Sequence, residues 1–220
     1  MTDNTIAAIT PSICALFGIV PPAISSAKPL GAVVDEIKSR YRLNRIDKCL
    51  VYAPDALGSL FLARHADIFH EVETLAPVRI GLRSVFPPKT PVCFASMFTG
   101  ASPEVHGIRA YEKPVLACDT LFDALIRAGK KPAIVAVKDS SVDLIFRGRE
   151  MDYYSEEYDP QVTALAIELL KTGRDDLVLA YHQEYDDALH ATTHESGRAL
   201  AAANNHAQSF ITLCQAFHMQ

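Results

Sequence analysis

One threonine in this sequence is held by its neighbours in the setting that a nucleophile needs. Thr90 lies between Pro87-Pro88-Lys89 and Pro91, and a short apolar segment follows. Proline pushes the residue before it out of the helical region, so we expect Thr90 to be fixed at the entrance of a helix over residues 91–98. Free backbone N–H groups and the helix dipole favour an anion at such an entrance. A hydroxyl beside a phosphate-sized anion site predicts covalent phosphoryl transfer.

Two carboxylates and an imidazole come directly after apolar runs that are typical of buried strands. Asp55 follows the run 48–53, and Asp186 and His190 follow the run 176–181. Ligands of α/β folds bind beyond the carboxyl ends of the strands. Carboxylate oxygen and imidazole nitrogen suit zinc, manganese or iron. We therefore expect these side chains to bind divalent metal, one or two ions, with zinc as the first choice and manganese or iron as alternatives.

The composition is that of an ordinary globular protein. The 220 residues are 49% apolar and 21% charged, which predicts a single domain over residues 1–220 with a substantial core. The formal net charge is −5 and no block of Lys or Arg occurs, which argues against nucleic-acid binding by bulk electrostatics. No segment approaches the ~20 apolar residues that span a bilayer, so we expect no membrane association.

Cysteine usage and the N-terminal segment both indicate the cytoplasm. The five cysteines are scattered without any Cys-x-x-Cys pair, which favours buried free thiols in a reducing compartment over disulfides. The first residues carry no positive charge, and Pro21-Pro22 interrupts the apolar segment 13–24. A secretory signal needs a basic start and an unbroken apolar core, so we expect instead a short helix that Pro11 and Ser12 open and Pro21 stops.

Apolar periodicity predicts alternating helices and strands. Strands are expected over residues 48–53, 78–85, 131–137, 142–146 and 176–181. Helices are expected over residues 30–41, 57–70, 91–98, 119–128, 160–171 and 196–217. This alternation predicts an α/β fold with a mostly parallel sheet flanked by helices.

The segment 86–108 resembles the nucleophile motif of the alkaline phosphatase superfamily, in the branch of type I phosphodiesterases and nucleotide pyrophosphatases. In that branch a Pro-Thr-x-Thr-x-Pro stretch is followed by Thr-Gly, Pro and His-Gly-Ile, and here Thr99-Gly100, Pro103 and His106-Gly107-Ile108 occupy these places. Thr90 falls on the nucleophile.

Two further motifs of that branch have counterparts in this sequence. Asp55, in Ala-Pro-Asp-Ala-Leu-Gly, resembles the first metal aspartate, and Asp186-Asp-Ala-Leu-His190 resembles the Asp-x-x-x-His motif. The resemblance implies an alkaline-phosphatase-like core in which one metal binds Asp55 and Thr90 and the other binds Asp186 and His190. It also implies a metal-dependent phosphoric ester hydrolase that acts on a small-molecule phosphate ester, with phosphodiesters favoured over monoesters.

The sequence departs from the family pattern in ways that bear on activity. No Asp-His-Gly occurs before residue 220, so the implied core is truncated and both metal sites lack ligands. His194, His206, His218 or a neighbouring subunit would have to replace them. A truncated core would expose a sheet edge and apolar surface, so we expect a homo-oligomer. The alternative is a non-catalytic relative that binds metal or an anion as a regulatory or assembly subunit.

Each proposed site residue also has a purely structural interpretation. Thr90 and Asp55 could cap helices. Asp186 and His190 could lie in a solvated loop, and the adjacent Asp187 could replace Asp186 as a ligand. We expect His106 to fix its loop by hydrogen bonding rather than to bind metal.

Overall fold

The acidic residues proposed as metal ligands follow strands of a four-stranded sheet. The computed structural model describes residues 4–218. Its strands are β1 (Cys49–Pro54), β2 (Pro132–Val137), β3 (Asp152–Glu156) and β4 (Leu177–His182), in the order β1-β4-β2-β3. Hydrogen bonds join the carboxyl ends of neighbouring strands, from Asp55 N to His182 O at 2.9 Å and from Lys138 N to Glu156 O at 2.7 Å. The sheet is therefore parallel, and the predicted α/β class is confirmed.

Helices precede, connect and follow these strands. In chain order they are α1 (Ile9–Phe17), α2 (Gly31–Tyr41), α3 (Ser59–Arg64), α4 (His70–Leu75), α5 (Thr90–Thr99), α6 (Pro103–His106), α7 (Leu121–Arg127), α8 (Ser141–Ile145), α9 (Asp159–Thr172), α10 (Glu184–Ala191) and α11 (Gly197–His218). A single 3₁₀ turn, Ile6–Ala8, comes before α1. Among residues 4–218, no helix combines the length and the apolar character needed to cross a membrane.

The residues group into two compact units, each assembled from separate stretches of chain. The first unit comprises residues 4–49, 81–132 and 139–153, and the second comprises residues 50–80, 133–138 and 154–218. Thr90 belongs to the first unit, and Asp55, Asp186 and His190 belong to the second. That the whole chain forms one domain stays a prediction.

The core of the first unit is a cluster of aromatic rings. Phe98 of α5 contacts Phe122 of α7 at 5.2 Å and Phe146, just after α8, at 5.5 Å between ring centroids. Phe122 and Phe146 contact one another at 5.1 Å, and all three are fully buried. Edge-to-face and tilted ring contacts of this kind add to the free energy of burial. They hold the helix that begins at Thr90 against two others.

The core of the second unit lies between the sheet and helices α9 and α11. Val135 of β2 and Val178 of β4 are buried against Val162 and Leu169 of α9 and Leu213 of α11. Every residue of β2 and β4 is buried, as expected for the central strands of a parallel sheet. This rigid layer positions the residues that follow β1 and β4.

Most predicted elements are confirmed to within a few residues. The helix expected over 119–128 is α7, where Thr120 and Asp123 form a reciprocal capping box and Gly129 follows at φ 71°. The helix expected over 160–171 is α9, which Gly173 ends with a left-handed backbone. The strands expected over 48–53, 131–137 and 176–181 are β1, β2 and β4.

Three predictions of local structure are wrong. Residues 57–70 form no continuous helix but contain α3 and the start of α4. Residues 78–85 form no strand, and only Arg83 makes an isolated bridge, to Thr5. Residues 142–145 belong to α8 and not to a strand, because the Ser140 side chain caps this helix by accepting a hydrogen bond from Asp143 N at 3.1 Å.

The N-terminal helix and the cysteines agree with their predictions in kind. The helix expected to open at Pro11 and Ser12 begins earlier, at Ile9, and ends at Phe17; Gly18 caps it with φ 69°, so the chain reverses before Pro21 is reached. All five cysteines are free; Cys14 is buried and the other four are half-buried. Burial raises the pKa of Cys14 and of Cys49 to about 12, so these thiols are poor nucleophiles.

Candidate functional site

Thr90 is the first residue of α5 in the first unit, and it is half-buried. Lys89 before it is extended, with φ −105° and ψ 142°, and Pro91 occupies the first turn, where its missing N–H costs no hydrogen bond. The expected helix entrance is thus confirmed. The interior of α5 is buried, with Val92 and Phe98 at 0% exposure, so the helix that presents Thr90 is fixed by packing.

The motif glycine at the end of α5 is required by space as well as by conformation. Gly100 has φ 71°, in the left-handed region. A Cβ at this position would overlap the Ser25 Oγ atom and crowd the Pro11 ring. Its carbonyl also accepts hydrogen bonds from Ser26 N and Ala27 N, at 3.0 and 3.1 Å. The Thr-Gly pair of the motif therefore fixes where α5 ends.

His106 has the loop-fixing role that was predicted for it. Its Nδ1 accepts a hydrogen bond from Ile108 N at 3.2 Å, so the proton of the neutral ring lies on Nε2 and is donated to Ser96 Oγ at 2.9 Å. Burial lowers the pKa of His106 to about 4, which keeps the ring neutral near pH 7. The histidine thereby ties the loop to the middle of α5.

Asp55 follows β1 in the second unit and faces the end of β4. Its Oδ2 accepts a hydrogen bond from the Tyr181 hydroxyl at 2.7 Å, and its Oδ1 accepts one from Ala56 N at 2.8 Å. Burial, and next the Asp55 carboxylate, raise the pKa of Tyr181, so this phenol stays a hydrogen-bond donor. Asp55 caps no helix, because α3 begins only at Ser59 with Gly58 at its N-cap. The capping interpretation is wrong.

The residue after Asp55 has an unfavourable backbone conformation. Ala56 has φ 62°, in the left-handed region that glycine adopts freely and alanine does not. The chain therefore makes a sharp turn here with a side chain in place.

Asp186 and His190 lie on one face of α10, one turn apart. Asp186 Oδ2 is 3.4 Å from His190 Nε2, and the two side chains are 30% and 79% exposed. Burial, followed by the charge of Asp55, raises the pKa of Asp186, so the two carboxylates act on one another. The loop interpretation of this segment is wrong, because both residues lie in helix α10, which the sequence analysis did not predict. Two carboxylates and an imidazole thus share the region beyond β1 and β4.

Asp187, the alternative to Asp186, is bonded elsewhere. Its Oδ2 accepts hydrogen bonds from the Tyr158 hydroxyl at 2.8 Å and from Gln183 Nε2 at 3.4 Å. Of the histidines considered as substitute ligands, His194 contacts the Tyr185 hydroxyl at 3.2 Å, and His218 is exposed at the end of α11. That His194 or His218 replaces a missing metal ligand stays a prediction.

A second group of ionisable side chains is buried in the same unit. Asp159, His182 and His206 are 3%, 0% and 1% exposed, and each offers a ligand atom within 4.8 Å of the others. Burial raises the pKa of Asp159 to about 6 and lowers those of His182 and His206 to about 3 and about 4. The sequence analysis missed this group. The sequence signal that could have indicated this group is a histidine at the end of an apolar strand, as His182 is at the end of β4.

Comparison with known proteins places the chain in a family. The sequence model of type I phosphodiesterases and nucleotide pyrophosphatases matches residues 74–215. The chain belongs to this family. Its members depend on divalent metal, and the buried Asp/His group is one candidate metal site among the described residues. No curated protein matches the chain.

Solved structures of two family-like proteins share the fold. Murine ectonucleotide pyrophosphatase/phosphodiesterase 5, an inactive threonine-to-alanine variant in complex with AMP, is 19% identical with a TM-score of 0.62 and covers 79% of this chain. Phosphonoacetate hydrolase from Sinorhizobium meliloti 1021, in complex with phosphonoacetate, is 20% identical with a TM-score of 0.55 and covers 80% of it. The chain spans 53% of the length of each of these proteins.

We expect Ala56→Gly to stabilise the protein by about 0.5–1 kcal/mol. Relief of a left-handed conformation that costs alanine ~1–2 kcal/mol outweighs the greater freedom of glycine in the unfolded chain. Urea unfolding followed by circular dichroism measures the difference. Ala164→Gly is the matched control: it lies on the exposed face of α9 and should destabilise by about 1 kcal/mol. Destabilisation by both substitutions would contradict the strain at Ala56.

His106 should make the stability of the protein fall in acid. Its pKa is near 6.5 in the unfolded chain and about 4 when folded, so only the unfolded state gains a proton between these values. The free energy of unfolding should therefore fall as pH drops from 6.5 to 4, by at most about 1.4 kcal/mol per pH unit from this group. His106→Gln removes this contribution. The difference in the free energy of unfolding between wild-type and variant should therefore shrink as pH falls from 6.5 to 4. A pH-independent difference would refute the assignment.

Proposed function

We propose that this chain carries the nucleophile and metal-binding residues of a metal-dependent phosphoric ester hydrolase. The observation that supports it best is the shared position of Asp55, Asp186 and His190 beyond β1 and β4, where burial, and next the Asp55 charge, raise the pKa of Asp186. Like charges held close together favour a cation between them. The nucleophile motif, which places Thr90 at the start of helix α5, also supports the proposal.

The donor set fits a divalent metal. Asp55 and Asp186 offer carboxylate oxygens and His190 an imidazole nitrogen, which suits zinc first and manganese or iron as alternatives. We propose that Asp55 and Thr90 would hold one ion and Asp186 and His190 another; bound there, the metal would supply a lowered pKa of the Thr90 hydroxyl and neutralisation of phosphate charge. Tyr181 orients the Asp55 carboxylate through its 2.7 Å hydrogen bond.

In the proposed reaction the Thr90 oxygen attacks phosphorus, the ester P–O bond breaks, and the alcohol leaves. The phosphorylated threonine is then hydrolysed by water, which regenerates the hydroxyl. Packing of α5 and the His106 hydrogen bonds fix the helix that begins at Thr90, which restricts the positions that its hydroxyl can take. The structure of the related murine pyrophosphatase/phosphodiesterase, an inactive threonine-to-alanine variant with AMP, supports a threonine in this role and a phosphodiester substrate.

Nitrophenyl phosphate mono- and diesters, with added zinc or manganese, test the proposal. We expect hydrolysis, faster for the diester, that Thr90→Ala abolishes and Thr90→Ser partly retains, because serine keeps the hydroxyl. Thr212→Ala, on the exposed face of α11, is the matched control and should leave the rate unchanged.

Tight metal binding without turnover of any ester would instead support the non-catalytic relative, in which the same residues hold an ion or anion in a regulatory or assembly subunit. Equal activity of wild-type and Thr90→Ala proteins would refute the threonine nucleophile.

We also propose that the chain works as a homo-oligomer in the cytoplasm. Large exposed apolar side chains, including Leu60 at 87% and Phe86 at 86% exposure, favour self-association, and five free thiols suit a reducing compartment. Light scattering at micromolar concentration should give at least twice the monomer mass of 24.1 kDa. A monomer mass under these conditions would refute the oligomer.

A further inference from the structure

Four side chains from four different elements of the second unit meet in its interior. They are Tyr52 of β1, Asp159 at the start of α9, His182 at the end of β4 and His206 of α11. Asp159 and the two histidines are at most 3% exposed. None of the four is matched to a motif of the family, whose nucleophile and metal motifs fall on Asp55, Thr90, Asp186 and His190. Their convergence therefore needs an explanation of its own.

The distances among their polar atoms fit one small cation. Asp159 Oδ2 is 3.7 Å from the Nδ1 atoms of His182 and of His206. The Tyr52 hydroxyl oxygen is 3.0 Å and 3.3 Å from the same two nitrogens. In a tetrahedral site with bonds of ~2.0–2.1 Å, neighbouring ligand atoms lie about 3.3 Å apart. The four distances, 3.0–3.7 Å, are therefore close to the spacing of ligand atoms in a tetrahedral coordination shell.

The charge at this place also favours a cation. Among residues 4–218, Asp159 Oδ1 and Oδ2 accept hydrogen bonds from Gln183 N and Glu184 N, both at 3.0 Å, and Oδ2 lies 3.7 Å from a ring nitrogen of each imidazole. Lysine and arginine do not occur among these partners. A buried carboxylate flanked by two neutral imidazoles is a ligand set of the zinc type.

We propose that Asp159, His182 and His206 bind a zinc-like divalent cation, with the Tyr52 hydroxyl as the fourth ligand, and that this ion is structural. It would join β1, β4, α9 and α11 at one point. Binding to the folded state alone stabilises that state in proportion to the logarithm of metal concentration. The site is closed by four protein ligands, as structural zinc sites are, and so leaves no position for a substrate.

Proton positions change when the ion binds. Without it, His206 Nε2 accepts a hydrogen bond from Tyr185 N at 3.2 Å, so the ring proton lies on Nδ1 beside the Tyr52 hydroxyl. Coordination through Nδ1 moves this proton to Nε2, and Tyr185 N loses its acceptor. Both imidazoles remain neutral, and His182 can keep its Nε2 contact with Thr163 Oγ1 at 3.1 Å. The lost hydrogen bond lowers the affinity but leaves all four ligand atoms in place.

The test must separate this site from the proposed active site. The double variant Asp186→Asn/His190→Asn removes ligands of the latter and serves as the background. After incubation with zinc chloride and dialysis, we expect it to retain one equivalent of zinc and to show a higher unfolding temperature than its chelator-treated form. With cobalt chloride, we expect the visible absorption of a tetrahedral ion.

Asp159→Asn in the same background should weaken zinc binding at least tenfold. Asp187→Asn is the matched control, since this carboxylate lies in the same unit but is held by Tyr158, and it should not change zinc binding.

Histidine NMR on the background protein gives an answer even if Asp159→Asn fails to fold. Zinc should shift the Nδ1 resonances of His182 and His206 and leave that of His194 in place. No retained zinc, unshifted His182 and His206 resonances, or equal zinc binding by the two aspartate variants would each overturn the proposal. Activity plays no part in these readouts, so they stand apart from the test of the hydrolase.

Discussion

The pairing of β1 with β4 is the constraint on which the chemistry of the second unit depends. The two strands run parallel and are joined at their ends by the hydrogen bond from Asp55 N to His182 O. Successive side chains of a strand point to opposite faces of the sheet. Tyr181 therefore meets Asp55 on one face, while His182 meets Tyr52 and Asp159 on the other. One strand end thus serves two separate groups of polar side chains.

Both groups contain carboxylates that are partly or almost fully removed from water, and the two groups stabilise this charge in different ways. The pair Asp55 and Asp186 stays partly exposed and is supported by a phenol and an imidazole. Asp159 is almost fully buried and depends on two backbone amides at the start of α10. A carboxylate out of water is costly unless it is hydrogen-bonded and its charge is balanced. The cations that we propose for the two places would balance these charges.

The first unit shows how the side chain that we propose as the nucleophile is held without a rigid loop of its own. Thr90 begins a helix whose interior is packed among aromatic rings, and His106 binds the following loop back to Ser96 in that helix. Gly100 lets the chain pass close to Ser25. Positioning of this kind depends on packing and on neutral hydrogen bonds, so it is sensitive to acid through His106 and insensitive to salt.

The sequence by itself determined the parallel α/β class, the start of α5 at Thr90 and the family motifs, because these depend on local apolar periodicity and on proline and glycine at particular positions. It predicted a strand at residues 142–146 where Ser140 caps a helix, and it left α10 undetected. Only the tertiary structure decided that Asp186 and His190 share a helix face and that Asp187 turns away to Tyr158. Only the tertiary structure brought Asp159, His182 and His206 together, because their proximity arises from the pairing of strands and the packing of α9 and α11. The spacing of residues along the sequence does not predict such long-range contacts.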